Sequence, residues 1–195
     1  MDRKNVNHIQ FNRRIGFHYF PDTIHYREYD LNHWLPILKS LHASWLYLLA
    51  PVDRAIPESF LSGLIQNKIQ PILHFSAPLD EVNAFDLNPL LHAYADWGIS
   101  QVIFFDQPNL RSSWSSANWA KKNIVEQFLD QFIPLAELAI QNNIKPLFPP
   151  LFPGGDYWDT VFLRSALQKM MSGHKDIIEQ LQLTSLVWTW GKPLN

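Results

Sequence analysis

Polar and aromatic side chains follow short apolar runs along the 195-residue chain, and several of them could do chemistry. A carboxylate can transfer protons, a histidine can bind a metal or move a proton, and a tryptophan can stack on a sugar ring. The residues placed in this way are His18, Tyr19, Asp22, Asp53, Arg54, His74, Ser76, Asp106, Gln107, Asn109, Asp156, Tyr157, Trp158, Trp188 and Trp190. They can act together only if the chain brings the ends of these runs to one place.

The apolar runs themselves predict six strands. They are rich in β-branched and aromatic residues and mostly lack alternation, which is typical of strands buried on both faces of a parallel sheet. The predicted strands are Ile15–Phe20, Trp45–Ala50, Gln70–Ser76, Gln101–Phe105, Lys145–Phe148 and Leu186–Trp190. Because active-site groups of a parallel barrel lie at the carboxyl ends of its strands, we expect the polar residues to share one rim.

Segments with apolar residues at helical spacing separate the strands and predict five amphipathic helices. Gly98 is expected to end the third helix, because glycine accepts the left-handed conformation, and Asp156 or Asp159 is expected to cap the fifth. The predicted helices cover Leu31–Leu41, Phe60–Ile65 after Pro57, Leu87–Tyr94, 118–141 and Val161–Met170. This alternation of strands and helices indicates a crossover array.

Two architectures fit a crossover array, a barrel and a doubly wound sheet. The first turn, Phe20-Pro21-Asp22-Thr23, lacks the glycines with which a doubly wound sheet usually binds its ligand. We therefore predict an α/β fold, a partial (β/α)8 TIM-like barrel with about six parallel strands. Residues 1–14 are expected to form a polar tail, and residues 15–195 a single incomplete barrel domain. A flavodoxin-like sheet and a short irregular C-terminal closure stay open as alternatives.

Composition narrows the classes of function. The net charge is −2 and no run of Lys or Arg exceeds two residues, which argues against nucleic-acid binding. The absence of cysteine fits a reducing compartment, so we expect a cytoplasmic protein. No apolar stretch approaches the roughly 20 residues of a membrane span, and the first 14 residues do not resemble a signal peptide.

A protein partner is expected from two observations. Charged residues make up only 17% of the chain while aromatic residues make up 14%, so much apolar surface has to be buried. A closed barrel has eight strands, so the predicted sheet stops two strands short and leaves its edges open. We predict that a protein partner or self-association covers the open barrel edge.

The end of the fourth strand resembles a known family of enzymes. The segment Val102–Asn109 reads VIFFDQPN, which is similar to the Asn-Glu-Pro signature at the fourth strand of clan-A glycoside hydrolases, the cellulase-like barrels. Pro149–Tyr157, followed by Phe162-Leu163 and Ala166-Leu167, is similar to the fifth β/α unit of bacterial members of that superfamily. The resemblance covers roughly Ile15 to Asn195.

The resemblance implies a site with altered chemistry. Gln107 takes the position of the general acid/base Glu, and Asp106 that of the Asn that contacts the sugar 2-hydroxyl. An amide does not titrate, so Gln107 can bind a sugar but cannot relay protons. The second carboxylate of the family comes from the seventh strand, beyond the six predicted here. We therefore predict a catalytically degenerate barrel that acts as a binding or structural subunit, without a cofactor.

Several alternatives accompany this prediction. An active glycoside hydrolase whose remaining strands lie on another chain would also fit. Asp106 could replace the lost Glu, but neighbouring strand residues point to opposite sides, so pairing with an Arg or a backbone donor is favoured. His18 and His74 lack a third ligand, so no metal is predicted. The residues predicted to bind a carbohydrate are His18, His74, Asp106, Gln107, Asn109, Tyr157, Trp188 and Trp190, although the tryptophans also suit a core or an interface.

Overall fold

The computed structural model describes residues 15–79, 81–114, 119 and 123–187. Six parallel strands form one sheet, ordered as in the sequence and curled into a half-barrel. The strands are β1 (Gly16–His18), β2 (Trp45–Leu49), β3 (Gln70–Phe75), β4 (Gln101–Phe104), β5 (Lys145–Phe148) and β6 (Gln182–Leu183). The predicted partial barrel with six parallel strands is confirmed.

Helices connect the successive strands, as the spacing of apolar residues predicts. They are α1 (Glu28–Ser40), α2 (Glu58–Gln66), α3 (Ala84–Asp96), α4 (Ile124–Gln141), α5 (Asp159–Gly173) and α6 (Lys175–Gln180), with a 3-10 turn at Arg111–Ser113. Gly98 has a φ of +89°, the left-handed conformation expected after α3. In the described part of the chain, no helix is long and apolar enough to cross a membrane.

The position predicted for the sixth strand was wrong. The strand lies at Gln182–Leu183, and residues 186–187 of the predicted run are not in a strand. Residues 188–190, which include Trp188 and Trp190, lie outside the described residues, as does the predicted tail 1–14. The short helix α6, which the sequence analysis did not predict, lies directly before the strand.

The predicted cap of α5 was also wrong. The residue before the helix is Trp158, and it makes no side-chain capping bond. The carboxylate of Asp156 instead accepts a hydrogen bond from the backbone N–H of Arg111 at 2.8 Å. The carboxylate of Asp159 accepts one from the N–H of Gly154 at 3.2 Å. Both carboxylates therefore order the loop before α5 and leave its first turn uncapped.

The outer face of the sheet packs against the helices and forms the core. Leu48, Leu73 and Val102 lie in register on neighbouring strands and are fully buried. On the same side, the ring of Phe75 packs against α3, and the ring of Phe148 packs against α4. Burial of these large apolar side chains is the main favourable contribution to folding in this layer.

The inner face of the half-barrel is only partly covered. Along β2, Trp45, Tyr47 and Leu49 are half-buried and alternate with buried leucines. This pattern differs from the predicted burial on both faces, whereas β4 and β5 are buried along most of their length. The inner face therefore offers surface to a ligand or to another chain.

Trp45 crosses the inner face at the start of the sheet and requires a glycine beneath it. Gly16 and Trp45 are partners in register, and a Cβ atom added to Gly16 would overlap with atoms of the indole ring. The backbone of Gly16 does not have a positive φ, so the constraint is space and not conformation. Glycine at position 16 lets the indole lie against β1.

We predict that Gly16→Ala destabilises the fold by about 1–3 kcal/mol, since the added methyl group displaces the indole of Trp45. Urea unfolding measured by circular dichroism gives the value. Gly173→Ala is the matched control, because nothing lies within 4 Å of a Cβ atom at that helix end. Equal stability of the Gly16→Ala variant and the wild type would show that the indole does not lie on β1.

Candidate functional site

Side chains of β1, β2 and β3 lie together on the inner face near the carboxyl ends of the strands, and the carboxyl group of Asp106 follows β4 and acts on them electrostatically. His18 ends β1, Tyr47 lies in β2, His74 lies in β3, and Asp106 follows β4. The rings of His18 and Tyr47 have centroids 4.3 Å apart, and the hydroxyl of Tyr47 forms a short hydrogen bond with Nδ1 of His74. We call His18, Tyr47, His74 and Asp106 the inner-face cluster.

His74 is the buried member of the cluster, with 2% of its surface exposed. Its Nε2 lies 2.7 Å from the carbonyl oxygen of Phe105. A carbonyl oxygen can only accept a hydrogen bond, so Nε2 carries the proton. Burial lowers the pKa of His74 to about 4, so the ring is neutral at pH 7 and its Nδ1 has a free lone pair.

Phe105 reaches His74 through an unusual backbone conformation. Its φ is +67°, in the left-handed region, which for a phenylalanine costs of the order of 1–3 kcal/mol. Its N–H donates to the carbonyl of Phe75 at 2.9 Å, and its ring packs against Phe128 of α4. The turn thus places the ring on the helical side while the carbonyl oxygen meets His74.

Asp106, one of the residues predicted to bind a carbohydrate, follows a turn at which the alternation of strand residues ends. The strand ends at Phe104, and both Phe105 and Gln107 have positive φ, so alternation does not extend to these residues. Burial raises the pKa of Asp106, and the charge of His18 opposes this rise. The predicted pairing with an arginine or a backbone donor is not found among the described residues.

Tyr47 is the member of the inner-face cluster that sequence reasoning missed. Burial is the main cause that raises the pKa of its hydroxyl, and the charge of Asp106 adds to it. The apolar run from Trp45 to Ala50 predicted a strand buried on both faces, so Tyr47 was not among the predicted site residues. Side chains two positions apart on a strand point to the same face, so Tyr47 shares a face with Trp45. This alternation is the signal that could have identified Tyr47.

Gln107, the predicted substitute for the acid, lies in the loop after β4. It is half-buried, and its φ is +46°. Its carbonyl oxygen accepts hydrogen bonds from the N–H of Leu110 and the hydroxyl of Ser113, both at 2.9 Å. These bonds fix its backbone, and a role of its side-chain amide in binding stays a prediction.

Asn109 was predicted to bind a ligand, but its side chain is engaged by the backbone. It is fully buried, and its Nδ2 donates to the carbonyl oxygens of Phe152 at 2.8 Å and Tyr157 at 3.0 Å. Its Oδ1 accepts from the N–H of Phe152 at 2.9 Å. Asn109 and the backbone of Tyr157 therefore join the loop after β4 to the loop after β5.

The described residues contain no group of three or more His, Cys, Asp or Glu side chains that could hold a metal ion. His18 and His74 lie in one cluster, but the ring nitrogens of His74 are occupied by Phe105 and Tyr47. The chemistry that the cluster offers is therefore hydrogen bonding and proton exchange.

Two comparisons of the sequence, with protein-family models and with curated proteins, give no relative from which a function could be transferred. The sequence matches no protein-family model, and a search of curated proteins finds no significant similarity. The resemblance to clan-A glycoside hydrolases stays a prediction. Inferences about function therefore depend on the geometry of the inner-face cluster and its surroundings.

We predict that Asn109→Ala destabilises the protein by about 2–3 kcal/mol, because it removes the three hydrogen bonds of a fully buried amide. Chemical unfolding checks this value. Asn32→Ala on the exposed side of α1 is the matched control and should stay close to the wild type. A loss below about 0.5 kcal/mol for Asn109→Ala would contradict the conclusion that Asn109 joins the loops after β4 and β5.

We predict that part of the stability depends on His74 remaining neutral. The pKa of His74 is about 4 in the folded chain against a usual value of 6.5, so the unfolded chain binds the proton more strongly. This contribution is complete above pH 6.5 and is lost as the pH falls towards 4. It amounts to roughly 3 kcal/mol.

The unfolding free energies of the wild type and of His74→Gln, measured in urea from pH 4 to 7, test this dependence. Glutamine does not titrate, so the difference between the two proteins should change with pH in the stated direction. His33→Gln on the exposed face of α1 is the control and should follow the wild type. Parallel curves for the wild type and His74→Gln would refute the assignment of a neutral His74.

Proposed function

We propose that this chain is a glycosidase-like half-barrel that binds a polyhydroxylated, carbohydrate-like ligand without hydrolysing it, as a binding or structural subunit of a larger assembly. The observation that supports this proposal is the inner-face cluster at the carboxyl ends of β1 to β4. Such strand ends are where barrel proteins hold their ligands. The amide of Gln107 agrees with binding in the absence of hydrolysis.

The surroundings of the cluster suit a sugar. Half-buried Trp45, Leu49 and Ile72 lie on the same face as Tyr47 and give that face apolar surface. A sugar ring has an apolar face and hydroxyl groups along its edge, and a site that combines apolar surface with a few polar groups complements both. Asp106 and His18 supply the polar groups beside Tyr47.

Hydrolysis by the mechanism of the resembled family needs a pair of carboxyl groups about 5 to 9.5 Å apart. In the resemblance, the first of the two would be at position 107, which is an amide. Asp106 supplies one carboxyl group to the inner-face cluster. A binding role needs no second carboxyl group, and for this reason we favour it.

A partner is part of the proposal because apolar surface lies beside the unpaired β1 edge of the sheet. In the described residues, β1 and β6 each pair with one neighbouring strand only. A cavity of about 250 Å³ lies beside β1, lined in part by Phe17, Trp34 and Leu41. Unpaired edges next to apolar surface favour association, so we propose that a protein partner or a second copy covers this edge, in the cytoplasm.

Retained catalysis by Asp106 is the second candidate function. Asp106 lies on the inner face, and burial raises its pKa, which is the direction that a general acid requires. In this function the carboxyl group that transfers protons would be Asp106, one residue before the position of the acid/base Glu in the resembled family. It predicts turnover that depends on the Asp106 carboxyl group.

We expect that neutral methyl glycosides bind the wild type and that Tyr47→Phe weakens the binding about tenfold, since one hydrogen bond is lost. Saturation-transfer NMR and calorimetry with a panel of these glycosides measure the effect. Tyr29→Phe is the matched control, because Tyr29 is 77% exposed on α1. Equal affinities of the wild type and Tyr47→Phe for every glycoside would contradict the proposed site.

A hydrolysis assay with aryl glycosides separates the two candidate functions. We expect no release of the aryl group above the rate in buffer, because no titrating acid stands at position 107. Turnover by the wild type that disappears in Asp106→Asn would overturn the binding function in favour of catalysis. Circular dichroism of both proteins confirms that the variant is folded.

A further inference from the structure

We infer that Tyr47 acts towards a ligand only as a hydrogen-bond acceptor, so that the inner-face cluster selects uncharged ligands whose hydroxyl groups donate to it. The inference deepens the proposed function, on which its ligand part depends. It specifies which chemical group of the ligand binds to Tyr47 and which ligands bind weakly.

The first step concerns the proton of His74. The carbonyl oxygen of Phe105 lies 2.7 Å from Nε2 and has no proton to give. The proton of the neutral ring is therefore on Nε2, and Nδ1 can only accept. A doubly protonated ring would place a charge in a position that is 2% exposed, where desolvation disfavours it.

The second step concerns the hydroxyl of Tyr47. Its hydrogen bond with Nδ1 of His74 has to use the proton of the hydroxyl, because Nδ1 has none. A phenol has a single proton, so none is left for a ligand. The lone pairs on the oxygen remain, and the half-buried Tyr47 lies on the open inner face.

The third step concerns the charge of the ligand. Asp106 directly follows Phe105, whose carbonyl oxygen binds His74, and its charge acts on the hydroxyl of Tyr47. In its ionised form its carboxylate is a second acceptor, and it repels an anion. A phosphate or carboxylate group brings only acceptors and negative charge to this place, whereas a hydroxyl brings a donor. The cluster therefore favours neutral polyols over phosphorylated or acidic sugars.

The protonation of His74 can be tested without a ligand. In a long-range ¹H–¹⁵N correlation spectrum of the labelled full chain at pH 7, we expect the pattern of a neutral ring protonated on Nε2. Tyr47→Phe should keep this pattern while the Nδ1 resonance moves towards the value of a free acceptor, and Tyr29→Phe should change neither. A ring protonated on Nδ1, or on both nitrogens, would overturn the inference.

The ligand part is tested with methyl glycosides that bind the wild type and with their monofluoro analogues. Fluorine replaces a hydroxyl group but cannot donate a hydrogen bond. We expect one position at which fluorine weakens binding to the wild type about tenfold and has little effect in Tyr47→Phe. A fluorine penalty of equal size in both proteins at every position would overturn the acceptor role.

Charge selection is measured in the same titrations. The uronate and 6-phosphate forms of a bound glycoside should bind at least tenfold more weakly than the neutral form, and equal or tighter binding would overturn the selection of uncharged ligands. If no glycoside binds, the proposed function fails. In that case the imidazole spectrum still tests whether Tyr47 is an acceptor, because that measurement needs no ligand. Failure of the proposed function and failure of the inference are therefore distinguishable.

Discussion

The hydrogen bond from Nε2 of His74 to the carbonyl oxygen of Phe105 determines how the inner face is organised. A buried imidazole without this partner would leave an unpaired N–H, at a cost of about 1–3 kcal/mol. The bond requires Phe105 to leave the strand in the left-handed conformation. It also fixes which ring nitrogen of His74 faces Tyr47. Asp106 directly follows Phe105 in the chain, so the turn that makes this bond leads into the carboxylate of the cluster.

The half-barrel divides its stabilising contacts between two faces with different roles. The outer face is buried under helices by residues such as Leu48, Phe75 and Phe148, and it carries most of the apolar burial. The inner face is half-buried along β2, is buried at His74 and Ile103, and has polar groups at one end. The loops at that end are held by the buried amide of Asn109, which uses three backbone partners. Rigid loops keep the strand ends in place, as a binding site needs.

The strands and helices were predictable from the sequence where their apolar patterns were long. The site was not predictable where its arrangement depends on the geometry of the backbone. Runs such as Gln70–Ser76 marked the first five strands, but β6 is a two-residue strand with a glutamine and carries no such signal. The turn that places Asp106 was not predictable, because a phenylalanine rarely adopts a positive φ and the sequence gives no signal of the turn at Phe105. Asn109 looked like a rim residue because sequence does not show which carbonyl groups a loop brings near.

The contact between Phe105 and Phe128 has a consequence for the order of assembly. All members of the inner-face cluster lie between residues 18 and 106, so a growing chain contains them before α4 has been synthesised. The aromatic ring that packs against Phe105 arrives only with α4. A nascent chain of about 110 residues would therefore hold every polar group yet lack one contact that fixes the strained backbone. Completion of the site is coupled to the docking of α4, the helix that follows β4 in the chain.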